Sequence, residues 1–371
     1  MPTLAELKAE LNRAPNDPAA HIAYGRGLEA EQRFDEAARA YFGALELDSE
    51  NAEACFRLGM MRMLDGDAET ALPLLIQAVN LDEGNGLYWS NLGMLLLLLE
   101  QKEEALAAFE ASWEVAPELE QTPLHIARLQ FELGQYDKVL ELEKELTALG
   151  GSYPEASILH ASSLLALTRA EEAAAIAEEA AIRFTDQPDV LATAGGILAF
   201  QDKFDQARDL FKRALARNPQ HYDALVGLGA LLSRTDAPGS AENCYRKALD
   251  ADPQRVQAYV GLCSLAFQAD DPQRLLHWAR AGLQHAPNNP DLLYYKARVL
   301  SRLGQIDSAV KTLEQLLDVN PFHYQGHFEL ANLCELELND RARSQVHLKA
   351  VIEIAPDSAA ARVAGMMLSK G

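Results

Sequence analysis

Apolar residues recur along this chain at helical spacing, in blocks of about thirteen residues, roughly 20 Å of helix each. The densest block reads NLGMLLLLLE at residues 91–100. Its run from Met94 to Leu99 is far short of the ~20 apolar residues a membrane helix needs, and Gln101, Lys102, Glu103 and Glu104 follow at once. The block therefore predicts one helix of a larger array. Leu92, Gly93, Leu96 and Leu99 are expected in its core, with Met94, Leu97 and Leu98 left over.

The blocks repeat every 34 residues. One column of small residues runs Gly25, Gly59, Gly93, Ala127, Ala161, Gly195, Gly229, Cys263, Ala297, Ala331. A second runs Ala37, Ala71, Ala105, Val139, Ala173, Ala207, Ala241, Leu275, Ala309. A third runs from Ala44 and Ala78 to Leu316 and Ala350, and prolines recur at Pro15, Pro117, Pro219, Pro253, Pro287 and Pro321. Fixed self-similarity of this kind marks a repeat architecture. Asp17, Asn51, Asn85 and Asn289 suit helix N-caps, and Pro18, Pro154, Pro188 and Pro290 suit a first helical turn. Turns such as GQYD at 134–137 and DKFD at 202–205 divide each unit into two helices. Small residues are expected where the two helices cross closely. A hairpin of this size cannot bury its own apolar faces, so neighbours must stack.

The pattern resembles the tetratricopeptide repeat family. Trp89, Leu92, Gly93, Ala105, Phe109 and Pro117 carry its signature, as do Gly195, Phe204, Ala207, Phe211, Ala214 and Pro219. The resemblance implies an all-α, right-handed α-solenoid superhelix of helical hairpins. It divides the chain into an N-terminal capping half-repeat at 1–17 and ten repeats, 18–51, 52–85, 86–119, 120–153, 154–187, 188–221, 222–255, 256–289, 290–323 and 324–357. A C-terminal capping helix follows at 358–371. Repeat ten is irregular, since ELNDRARSQ loses the small residue and gains a position before Pro356. At TALGGSYPEA, 147–156, Gly150, Gly151 and Pro154 mark either a plain helix stop or a bend.

In such arrays the first helices line a concave wall, and the resemblance implies that places 2, 5, 6, 9, 12 and 13 of each repeat face it. In repeats one to four these places hold Arg26, Phe56, Arg57, Met60, Met63, Asn91, Met94, Leu97, Leu98, His125, Arg128 and Phe131, together with Ile22, Leu64 and Leu124. Met adapts to varied partners, and Arg and aromatics are frequent binding anchors. Repeats five to seven offer small groups there, Gly227 among them. Repeats eight to ten offer Tyr294, Tyr295, Arg298, Arg302, Phe328 and Asn332, with Phe267, as a second candidate site. Chaperone-binding members use a carboxylate clamp with Lys at place 5, and no fifth place here holds Lys; only Asn91 and Arg57 echo that clamp, out of order. The Asn ladder of the sugar-transferase type is also missing from the sixth places, which begin Ala23, Arg57, Asn91, His125, Leu159, Thr193.

Charge sharpens the expected partner. The net charge is −22, and residues 1–185 carry 13 Lys+Arg against 33 Asp+Glu. Such a surface repels phosphate backbones, so nucleic acid is not expected. An apolar wall inside an acidic exterior suits a basic or amphipathic segment of another protein. The N-terminus shows no basic start followed by an apolar stretch, so a cytoplasmic chain without membrane insertion is expected. Cys55, Cys244, Cys263 and Cys334 form no CxxC pair, which favours reduced thiols.

No HExxH, GxSxG or phosphate-cradling glycine loop is present. His323 and His327 stand four apart with Cys334 near, but His323 falls on a capping place and His327 on a core place. No cofactor, metal or catalysis is expected. The sequence predicts a non-catalytic adaptor or assembly factor holding a segment of a partner in its groove. The alternative is a self-associating scaffold, with the C-terminal helix (Val363, Met366, Met367, Leu368) touching a second copy.

Overall fold

The structure, a computed structural model, describes residues 2–149, 152–235 and 237–369. Its described residues form helices and no strands. Contacts divide the chain into two compact units, Met1–Ile176 and Ala177–Gly371.

The first unit begins with α1 (Leu4–Arg13). Helical hairpins then follow: α2 (Pro18–Ala30) with α3 (Phe34–Leu47), α4 (Ala52–Leu64) with α5 (Ala68–Leu81), and α6 (Gly86–Leu98) with α7 (Lys102–Val115). Next come α8 (Thr122–Glu132), α9 (Tyr136–Glu141), α10 (Glu143–Leu149) and α11 (Pro154–Ala166). The division between the units falls within α12 (Ala170–Arg183). The second unit holds the hairpins α13 (Pro188–Phe200) with α14 (Phe204–Arg217), α15 (Tyr222–Ser233) with α16 (Pro238–Ala251), and α17 (Gln257–Gln268) with α18 (Pro272–His285). It continues through α19 (Pro290–Arg302) with α20 (Ile306–Val319) and α21 (Tyr324–Leu336) with α22 (Arg341–Ile354), and ends in α23 (Ala359–Ser369). Within each unit the second helix of a hairpin packs on the first helix of the next, as α3 on α4 and α14 on α15, which is the stacking of an α-solenoid. None of these helices is long and apolar enough to cross a membrane.

Local chemistry sets the helix starts. The Asp17 side chain accepts the Ala19 N–H at 3.0 Å ahead of Pro18, and Asn289 accepts the Leu292 N–H at 3.0 Å ahead of Pro290. Asn51 does the same for Ala54. Asn85 differs from expectation: its amide turns back to donate to Asp82 at 3.4 Å and makes no cap bond. An aromatic N–H or O–H at the fourth place ties the first helix to the preceding turn. Trp89 Nε1 donates to Glu83 O at 2.9 Å, Tyr259 Oη donates to Pro253 O at 3.2 Å, and His21 and His327 hold Pro15 O and Pro321 O through Nε2.

The small column at place 8 meets a large side chain of the same hairpin. A Cβ on Gly59, Gly93, Gly195 or Gly229 would run into Leu75, Phe109, Phe211 or Tyr245 respectively. The turn between the two helices is equally regular. Gln32, Gly66, Glu100, Gly134, Thr168, Asp202, Asp270 and Gly304, each on the 34-residue count, take positive φ between 58° and 78°. Only three of these are Gly, so the geometry is imposed by hairpin closure rather than by residue preference.

Three details depart from the periodic pattern. In the block at 91–100, Leu95 is fully buried alongside Leu92, Gly93 and Leu96, whereas Leu99 is half-buried. The second helix of the fourth hairpin is broken at Leu142 into α9 and α10. In the last hairpin the left-handed turn residue is Asn339, one place late. The extra residue shifts the register of α22, so Ser344 and Val351 are fully buried in place of Arg343 and Ala350. The small residue is thus present at Ser344, displaced by the longer turn. Gly150, Gly151 and Lys370 lie outside the described residues, so the bend-or-stop question at 147–156 is not addressed there.

At the N-terminus, Thr3 and Glu6 form a capping box on α1, Leu7 is buried, and Leu4 packs against the core of α2 and α3. Leu11 is half-buried. At the other end, Ala361 and Ala364 of α23 are buried with Leu348 and Val351, while Val363 (42%) and Met366 (59%) stay exposed. Cys55, Cys263 and Cys334 are buried, and desolvation pushes the Cys263 thiol up to about 12.

Candidate functional site

The residues expected on the first-helix wall of the first unit divide into three groups. One group is tied down by charge. Arg26 Nε donates to Glu53 at 2.6 Å, and Arg57 donates to Glu53 at 2.8 Å and to Glu29 at 2.7 Å. Tyr41 Oη adds a 2.7 Å bond to Glu29. Burial alone would raise the Glu53 carboxyl, but the hydrogen bonds from Arg26 and Arg57 hold it below its ordinary value. Arg128 clamps Glu155 with two 2.6 Å bonds across α8 and α11. These arginines are engaged in joining successive hairpins.

A second group lies in the joints themselves. Phe56 is 9% exposed and stacks on Tyr88 with centroids 4.5 Å apart. His125 stacks on Phe109 at 4.9 Å, and its Nδ1 is buried without a hydrogen-bond partner among the described residues. Desolvation lowers its pKa. In the second unit, Gly227 occupies the same sixth place and lies against Phe211, so it is a joint residue and not open wall. Phe131 meets Tyr136 edge-on at 5.3 Å. Asn91 turns its amide onto Leu87 O of its own helix at 2.7 Å. Met60, Met63 and Leu97 are half-buried against the core of α4 to α7.

The third group is exposed and apolar. Leu64 (60%) ends α4, Leu98 (68%) ends α6 one repeat later, and Met94 (41%) lies one helical turn before Leu98. Acidic Asp65 and Glu100 stand directly beyond these helix ends, both exposed.

In the second unit, Tyr294, Arg298 and Arg302 of α19 come together with Phe267 of α17. Phe267, Arg298 and Arg302 line a cavity of about 340 Å³ whose walls also include Asp270 and Glu329, with Tyr294 behind Arg298 and outside the lining. Arg298 lies 4.9 Å over the Phe267 ring, donates to Tyr294 Oη at 2.9 Å and pairs with Glu329 at 3.0 Å. Arg302 grips Asp270 with both terminal nitrogens, one at 2.7 Å. Desolvation raises the Glu329 carboxyl despite the Arg298 charge. Tyr295 flanks Phe267 at 6.0 Å. Phe328 packs instead on the α21–α23 core, and Asn332 is half-buried on α21; neither lines the cavity.

His323 caps α21, its Nδ1 accepting the Gly326 N–H at 2.9 Å. His327 is bonded through Nδ1 to Nδ1 of His347 at 2.9 Å. Among the described residues no three His, Cys, Asp or Glu gather as a metal site would require.

The carboxylates Glu29, Glu53, Glu155 and Glu329 were not singled out by the sequence. One signal was available: Arg26 and Glu53, like Arg128 and Glu155, stand 27 residues apart, place 9 of one repeat facing place 2 of the next.

Models described as tetratricopeptide repeat match residues 24–85, 87–119, 198–266 and 278–326, more than half of the chain. The chain belongs to the tetratricopeptide repeat family. No curated protein matches it in sequence. Among solved structures it is similar to yeast Tom70, with TM-score 0.54 and 14% identity over 99% of this chain and 91% of that one. It also resembles YrrB, described as a TPR protein with an unusual peptide-binding site, with TM-score 0.40 and 16% identity over 51% of this chain and 97% of that one. A further match is the structure of Naa15/Naa10 bound to HypK-THB, with TM-score 0.40 and 16% identity over 96% of this chain; the match spans 61% of that chain's length. At these identities the likeness is one of fold, the tetratricopeptide hairpin array.

Proposed function

We propose that this tetratricopeptide protein is a non-catalytic adaptor that holds a helical or extended segment of a partner protein along its first helices. The observation that carries the proposal is the exposed strip of Leu64, Met94 and Leu98. These are large apolar side chains that the fold leaves uncovered on successive first helices, whereas the arginines expected on the same wall are committed to joining hairpins. Apolar side chains supply affinity in helix-in-groove recognition, and the acidic residues at the helix ends favour a basic flank on the partner. The cavity walled by Phe267, Arg298 and Arg302 offers a second place for the same segment or another one.

The test is partner capture by the intact chain followed by mass spectrometry, repeated with a Leu64→Ala, Met94→Ala, Leu98→Ala variant. Truncating a hot spot costs ~2 kcal/mol or more, about thirtyfold in affinity. Loss of the captured partner with an unchanged melt supports the proposal. Undiminished capture moves the site to the cavity at Arg298. Self-association is the second reading, favoured by exposed Val363 and Met366 on α23. Light scattering that shows a monomer at high concentration removes it.

A further inference from the structure

A second cavity in the first unit, of about 320 Å³, lies away from the strip at Leu64, Met94 and Leu98. Its walls include Trp113 near the end of α7, Pro117 and Glu120 in the connection to α8, Pro123 in the first turn of α8, Glu145 on α10, and Tyr153 just before α11. It lies at an irregular hairpin. The connection from α7 to α8 takes residues 116–121, whereas that from α5 to α6 takes only 82–85, and the second helix is broken at Leu142. Gln121 donates its amide to Tyr153 Oη at 3.4 Å.

The chemistry of this notch differs from that of the other cavities described. At the cavity on α19, Asp270 and Glu329 are neutralised by Arg302 and Arg298, and Asp271 is engaged as the α18 N-cap, accepting the Arg274 N–H. At a third cavity, walled by Ile182 and Leu210, the acids are paired as well: Glu178 with Lys203, Asp205 with Arg208 and Asp209 with Arg213. Glu120 and Glu145 have no ion pair or side-chain hydrogen bond among the described residues, and no cation lines their notch. Two uncompensated carboxylates beside an indole and a phenol, within an acidic half of the chain, attract a cation. A guanidinium suits such a place better than an ammonium. It is planar, weakly hydrated, stacks on aromatic faces and reaches carboxylates in pairs. The volume is at the small end of the ~300–1,000 Å³ seen for ligand pockets, the scale of one long side chain.

We propose that the Trp113–Tyr153 notch receives an arginine side chain presented by a partner protein. The site is separate from the first-helix strip, so either can fail without the other.

The test uses the full chain labelled with 5-fluorotryptophan, whose three tryptophans give separate ¹⁹F signals, the Trp113 signal being assigned with Trp113→Phe. The probes are Nα-acetyl-arginine amide and its neutral isostere Nα-acetyl-citrulline amide. The arginine probe is expected to shift the Trp113 signal saturably at millimolar concentration, with the citrulline probe at least tenfold weaker. A Glu120→Gln, Glu145→Gln variant with unchanged melting is expected to lose the arginine response by a similar factor. No shift at Trp113, an equal response to citrulline, or a response that survives loss of both carboxylates overturns the proposal. An equal response to Nα-acetyl-lysine amide overturns the assignment to a guanidinium. The wild-type comparison decides the matter even if the double variant folds poorly.

Discussion

A Cβ built on Gly93 stands 3.0 Å from three ring carbons of Phe109, closer than real Cβ contacts normally come. The two residues lie sixteen positions apart, and Gly195 with Phe211 and Gly229 with Tyr245 repeat the relationship. In these three hairpins the small residue is therefore the socket for a ring, while Gly59 receives Leu75. Gly93→Leu is expected to destabilise the protein by ~1–3 kcal/mol through overpacking, read as a lower urea midpoint. Pairing it with Phe109→Leu should recover part of the loss, because the ring that fills the space is gone.

Thr168 holds φ at 62° in the turn that leads to α12. A β-branched residue is poorly suited to left-handed backbone, where an L residue gives up ~1–2 kcal/mol. Thr168→Gly relieves that strain and loses some of the gain to the freer unfolded chain. Net stabilisation of about 0.5–1 kcal/mol is expected, measured by chemical denaturation. The same change at Gly66 or Gly134 in reverse, to Thr, should destabilise.

Glu53 is held below its ordinary pKa by Arg26 and Arg57. A carboxylate depressed in the folded state stabilises the fold above its unfolded pKa of ~4.3 and loses that contribution as pH falls through the folded value. Glu53→Gln is expected to lower stability at pH 7 by ~1 kcal/mol, the scale of a partly exposed pair. It should also flatten the acid side of the stability profile below about pH 4. Thermal melts of both proteins between neutral and acid pH check this.

The His327–His347 pair makes the last hairpin sensitive to mild acid. Pro321 O can only accept, so His327 Nε2 carries a proton and its Nδ1, when neutral, accepts from His347 Nδ1. Desolvation, with the His327 and Arg343 charges, pushes His347 down to about 4, against a weaker pull from Glu314. A histidine lowered in the folded state is neutral in both states above pH ~6.5. The unfolded chain then takes up its proton first as pH falls. Stability should therefore drop between pH 6.5 and about 4. His347→Gln should flatten the profile across that window, measured by denaturation at stepped pH.

Much of this fold was legible in one dimension. The 34-residue count, the Asp17–Pro18 and Asn289–Pro290 starts and the small column all depend on neighbours within one hairpin, where geometry follows from helical period and chain connectivity. The candidate wall was legible only as a set of places. Leu64, Met94 and Leu98 are exposed, yet Phe56 and His125, from the same set of places that the resemblance implied, are packed into joints. Periodicity reports which side of a helix a residue occupies and not what the next hairpin puts there.

The sequence by itself determined an all-helical array of stacked hairpins and the 34-residue period on which they recur. Tertiary structure decided which side chains are spent. Arg57 reaches back to Glu29 and Arg128 forward to Glu155, over separations of 28 and 27 residues, because stacking brings adjacent first helices side by side. It also decided that Gln32, Glu100 and Thr168 bend left-handed where Gly was the natural choice, since closing the hairpin outweighs the preference of one residue. And it decided that Trp113 and Tyr153, forty residues apart, come to line one notch beside the broken second helix. The reason is common to all three: the energies that settle them act between residues whose separation in space is set by how hairpins stack and close, and that separation is not written in the spacing of apolar residues along the chain.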